Sequence, residues 1–188
     1  MTDSVRVLIA DDHPLVLGAL RQAVSGAVPG AAILEAADFE SMASTLEAHP
    51  ETDLVLLDLS MPGVRGFSGL LYLRAERPGL PVIVVSGNED RAVMRHCLEF
   101  GAAAYLPKSL DVTTMRTVIR AVLEGGQQLG QALARAGRLA RLGVVACLPS
   151  HGVASFDQSA HINLIIEHYR EPLTFQPGDT TSRPKNIN

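Results

Sequence analysis

Short apolar runs separated by helix-length amphipathic stretches constrain the fold of this chain more than any other feature. Residues 5–10, 53–57, 81–85 and 103–107 are rich in Val, Leu, Ile and Ala, and a weaker run covers residues 31–36. Runs of this kind, with helical patterns between them, read as buried strands of a parallel sheet. Five such β–α repeats predict a doubly wound α/β fold with helices on both faces of a five-stranded parallel sheet. Helices are expected from Pro14 to Ala27, after Asp38 to Ala48, from Phe67 to Arg77, from Asn88 or Asp90 to Gly101, and from Asp111 to Glu124. Pro at a first turn and Asp at the caps supply the local reasons.

Polar residues follow those runs immediately: Asp11 and Asp12, Asp58, Ser86 and Lys108. In an open parallel sheet, ligands sit beyond the carboxyl ends of the strands, so these side chains are expected to converge. Two unit charges about 5 Å apart repel by roughly 3 kcal/mol at an effective dielectric near 20. Three clustered carboxylates therefore call for a cation beyond Lys108. An all-oxygen donor set, with no His or Cys expected in the cluster, favours Mg²⁺ or Mn²⁺ over zinc. A metal, a hydroxyl and an ammonium around a carboxylate suit phosphoryl chemistry.

Taken singly, each residue has a structural reading: the Asp pair or Asp58 as caps, Ser86 as a turn residue, Lys108 as a solvated charge. Their coincidence at successive strand ends favours a site. His13 is expected to cap or pack, and Cys97 to be a packed thiol. The remaining histidines have no metal-ligand spacing. Two cysteines, Cys97 and Cys147, imply no disulfide framework. The absence of a long apolar stretch predicts no membrane span and a cytoplasmic protein.

The motifs Ala10-Asp11-Asp12-His13-Pro14, Asp58-Leu59-Ser60-Met61-Pro62-Gly63, Val84-Val85-Ser86-Gly87 and the run from Gly101 to Ser109 resemble the receiver domain of two-component response regulators. The wording around His13-Pro14 and Leu106-Pro107-Lys108-Ser109 is most like the NarL/LuxR-type subfamily. The resemblance implies a flavodoxin-like sheet in the order 2-1-3-4-5. It implies that Asp58 accepts a phosphoryl group from a sensor histidine kinase or phosphotransfer protein. Asp12 and Asp58 would contact Mg²⁺ by side chain, Asp11 through water and Ser60 through its carbonyl. Lys108 and Ser86 would contact the phosphoryl oxygens, and Tyr105 takes the switch aromatic position. A phosphorylation-dependent homodimer is a further expectation.

Residues 1–126 are expected to form the receiver and 127–188 an atypical tail. The first stretch carries 10 Lys and Arg against 16 Asp and Glu, the second 6 against 4. An amphipathic helix is expected over 127–148, a short one over 158–169, and a disordered end from Pro172. No stretch there resembles a recognition helix, which speaks against DNA binding by this chain. The change of composition near Gly126 fits either a genetic rearrangement or a native short appendage. A haloacid-dehalogenase-type phosphatase fits less well, because its nucleophile follows the first strand with another Asp two residues on. A flavodoxin-like cofactor binder would need a phosphate loop where Asp11 and Asp12 stand.

Overall fold

A computed structural model describes residues 4–125 and 145–146. Strands β1 (Arg6–Ala10), β2 (Ala32–Ala36), β3 (Leu54–Asp58), β4 (Val82–Ser86) and β5 (Ala104–Pro107) alternate with helices α1 (Pro14–Ala27), α2 (Phe39–Ala48), α3 (Ser68–Glu76), α4 (Arg91–Glu99) and α5 (Val112–Leu123). The five parallel strands stand in the order 2-1-3-4-5, as the sequence motifs implied. A sixth strand, β6 (Val145–Ala146), adds antiparallel to β5. At these two residues it corrects the expectation of an irregular amphipathic helix over residues 127–148. Apart from that pair, the tail expectations lie outside the described residues.

Strand alternation explains why helices cover both faces. Successive strand side chains point to opposite sides. Val7, Ile9, Leu54, Leu56, Ile83 and Val85 meet Leu20, Val24, Val118 and Ile119 of α1 and α5. Leu8, Ala10, Val55, Leu57, Val82 and Val84 meet Met42, Leu70, Leu73, Met94 and Cys97 of α2, α3 and α4. β3, β4 and β5 are buried along their whole length because neither face of the sheet sees water there, whereas β2 at the sheet edge is part-buried and exposes Glu35. Burial pushes the Cys97 thiol up to about 12, so it behaves as a packing group.

Helix ends are fixed by side chains. Asp38 caps α2 through a reciprocal box with Ser41, whose backbone N–H donates to Asp38 Oδ1 at 2.7 Å. Asp90 caps α4 and Asp111 caps α5 through the N–H groups of Ala92 and Thr114. At the opposite end of α1, Arg120 donates to the carbonyls of Gly26 and Ala27 at 3.0 and 3.2 Å. Those carbonyls belong to the last turn, where positive charge is favoured. The loop after β3 turns at Gly63, with φ +81°, and a side-chain carbon there would lie 2.8 Å from Phe39 Cβ. The backbone N–H of Phe39 donates to the Pro62 carbonyl beside it, tying this loop to α2.

Candidate functional site

Strand register places the polar residues together. Ala10 pairs with Leu57, Asp58 with Val85 and Ser86 with Pro107. Asp11, Asp58, Ser86 and Lys108 therefore stand at or just past the carboxyl ends of four neighbouring strands. Asp11, Asp58 and Ser86 are each 1% exposed. Carboxylates so deeply buried need charged or hydrogen-bonding partners.

Lys108 supplies the largest share. Its Nζ lies 2.8 Å from Asp11 Oδ2 and donates to Asp58 Oδ2 at 2.9 Å. Partial burial works against the ammonium, but hydrogen bonds and attraction to Asp11 and Asp58 outweigh it and raise the Lys108 pKa. The second oxygen of Asp58 accepts the Ser60 backbone N–H at 3.1 Å. Asp11 Oδ1 accepts the His13 N–H at 2.8 Å. Asp11 Oδ2 has the Lys108 ammonium as its ion-pair partner.

His13 departs from the sequence expectation. It stands at the N-cap position of α1 without a side-chain capping bond. Its Nδ1 lies instead 2.8 Å from Asp12 Oδ1, 3.2 Å from Asp11 Oδ1 and 4.0 Å from Asp58 Oδ2. His13 therefore stands within the acidic cluster, and the expectation that no histidine joins it is corrected. Pro14 opens the helix immediately after His13. Its adjacency to the Asp pair was the signal available in the sequence.

Ser86 and Tyr105 meet at the loop after β4. The Ser86 Oγ accepts the Asn88 N–H at 3.2 Å, and the Lys108 N–H donates to the Ser86 carbonyl at 2.9 Å. Tyr105 is fully buried, and its hydroxyl donates to the Asn88 carbonyl. Burial, offset in part by the Ser86 hydroxyl, raises its pKa. Ser109 Oγ donates to Glu89 at 2.8 Å, which joins the loops after β4 and β5. The sequence offered Asn88 only as a possible opening of the next helix and did not single out Glu89. Ser60 itself is exposed beside Asp58.

Residues 7–120 match the family model described as the response regulator receiver domain. The chain belongs to the response regulator receiver family. Receivers are the phosphorelay modules of two-component signalling, generally signalling proteins rather than enzymes, and they interact with histidine kinases or phosphotransfer proteins. They bind Mg²⁺ at an acidic cluster, which here is Asp11, Asp12 and Asp58. The glycerol metabolism activator of Pseudomonas putida is 39% identical over 124 residues, 66% of this chain. The match takes in 56% of that activator's length. The signal receiver domain of the putative response regulator NarL from Mycobacterium tuberculosis is 30% identical with a TM-score of 0.55, over 65% of this chain and 98% of that one. A CheX–CheY complex with BeF₃⁻ and Mg²⁺ from Borrelia burgdorferi is similar at 28% identity and TM-score 0.58, over 63% of this chain and 88% of that one. The NarL/LuxR-type resemblance fits these relatives. Among the described residues, no helix is long and apolar enough to cross a membrane.

Proposed function

We propose that Asp58 is the phosphoacceptor of this receiver. The observation that carries the reading is a buried carboxylate whose two oxygens are separately held, one by Lys108 Nζ and one by the Ser60 N–H. That hold fixes the carboxylate for attack on phosphorus. The new P–O bond forms as the P–N bond of a phosphohistidine breaks, and the imidazole nitrogen keeps the departing electron pair. Lys108 then faces the transferred group's oxygens, and the Ser86 hydroxyl hydrogen-bonds another. Asp11, Asp12, Asp58 and the Ser60 carbonyl would hold Mg²⁺ or Mn²⁺, which when bound neutralises developing charge on the phosphoryl oxygens.

A phosphoryl group brings close to two negative charges and three strong acceptors. Drawing Ser86 toward it alters the loop that Asn88 shares with Tyr105, so Tyr105 carries the change to the α4–β5 side. The partner is a sensor histidine kinase or phosphotransfer protein in the cytoplasm, and phosphorylation promotes a homodimer. Residues 1–126 are the receiver, and because no stretch of 127–188 resembles a LuxR-type recognition helix, output through protein contacts is the reading we favour over DNA contact by those residues. Incubation with a small phosphodonor and Mg²⁺ should incorporate one phosphoryl group per chain. Asp58→Asn should abolish it. Sustained turnover of a phosphate ester, or equal labelling of Asp58→Asn, would overturn the assignment.

A further inference from the structure

Three hydrogen bonds tie the loop after β4 to β5 and the turn that follows it. The Lys108 N–H donates to the Ser86 carbonyl at 2.9 Å, and the buried Tyr105 donates its hydroxyl to the Asn88 carbonyl. The third runs from Ser109 Oγ to Glu89 Oε1 at 2.8 Å, between two exposed residues. The phosphoryl reading gives this last bond no part.

Its two ends are held differently. Ser109 lies in a turn fastened to the end of β5, where the Leu110 N–H donates to the Pro107 carbonyl at 3.1 Å and Leu110 is buried. Glu89 lies within a run of side-chain-to-backbone bonds that begins at Ser86. Ser86 Oγ accepts the Asn88 N–H at 3.2 Å, and Asn88 Oδ1 accepts the Asp90 N–H at 2.8 Å. Asp90 Oδ1 then accepts the Ala92 N–H at 2.7 Å, which brings the run into α4. Each of these bonds spans two residues, as in Asx-type turns. A side-chain carbon built at Gly87 would meet nothing within 4 Å, so packing there does not block the loop. Movement of Ser86 Oγ toward Asp58 therefore draws Asn88, Glu89 and Asp90 along, while the turn at Ser109 stays with the sheet.

We propose that the Ser109–Glu89 bond is a latch on the switch, holding the loop after β4 in its unphosphorylated place against the pull of the phosphoryl group on Ser86. The inference rests on Asp58 being the phosphoacceptor. Both latch residues are positioning residues that act through Ser86. A bond made in one state and broken in the other lowers affinity for any ligand that selects the other. Water replaces an exposed bond readily, which sets the effect at about threefold.

The test uses the full chain with Mg²⁺ and beryllofluoride as the phosphoryl mimic, its bound fraction read by ¹⁹F NMR. Glu89→Ala and Ser109→Ala should each bind beryllofluoride about threefold more tightly than the parent. Their double variant should bind no more tightly than either single one, because one bond is lost only once. Ser109→Thr keeps the hydroxyl and should match the parent. Circular dichroism checks that the variants fold. Unchanged or weakened binding in either single variant, effects that multiply in the double variant, or a Ser109→Thr value like that of Ser109→Ala would overturn the latch alone. Beryllofluoride binding that is absent from the parent, or that survives in Asp58→Asn, would overturn the phosphoacceptor reading with it.

Discussion

Lys108 Nζ reaches two buried carboxylates, yet a third negative group, Asp12, stands in the same cluster with its side chain 31% exposed. One ammonium offsets only part of that charge, so the metal-free site is held against its own repulsion. Such local cost is typical where function sets the residues rather than stability. Asp12→Ala should therefore stabilise the metal-free protein by about 1 kcal/mol, after discounting for solvent at its exposed edge. The same variant should lose the rise in melting temperature that Mg²⁺ gives the parent chain. Thermal unfolding with and without Mg²⁺ measures both, and a lower metal-free melting temperature would contradict the account. Asp11, Asp58, Ser86 and Lys108 were legible in the sequence because each directly follows an apolar run. His13 was not, because adjacency in sequence does not say where a ring turns once Pro14 starts the helix.

Caps and cross-helix contacts decide how the elements are held in place. Asp111 accepts the Thr114 hydroxyl and N–H, in that order of effect, and these bonds lower its pKa. A lowered carboxyl pKa gives stability that is present above the unfolded value of about 3.9 and lost as pH falls through the folded value. Asp111→Ala should cost about 1 kcal/mol at neutral pH. The gap in melting temperature from the parent should be constant above about pH 5 and shrink below about pH 4. A gap that widens with acid would contradict this. Arg120→Ala should cost about 1–2 kcal/mol in denaturant unfolding, because it strips two charged hydrogen bonds from the end of α1. The Asp caps of α2, α4 and α5 could be read from sequence, since capping is local. Arg120 could not, because its partners lie 93 and 94 residues away and become neighbours only when α1 and α5 pack. The two-residue β6 is too short to leave a periodic pattern.

At the scale of the molecule, five β–α repeats predicted a doubly wound parallel sheet, and the resemblance to receivers implied its order 2-1-3-4-5, which brings the polar strand ends together. The two apolar layers rest on the same alternation. Ile83 is central in the sheet and fully buried. Ile83→Ala should cost about 2–5 kcal/mol in denaturant unfolding, and a loss under about 1 kcal/mol would contradict a close-packed sheet there. The proposal at this scale is chemical: Asp58 is the residue that takes the phosphoryl group. Phosphorylating the chain with a small donor and Mg²⁺, reducing the acyl phosphate with borohydride, and sequencing the peptides by mass spectrometry tests it most directly. The account predicts homoserine at position 58 alone. Homoserine at position 11 or 12, or a stable phosphoryl group on any other residue, would contradict it.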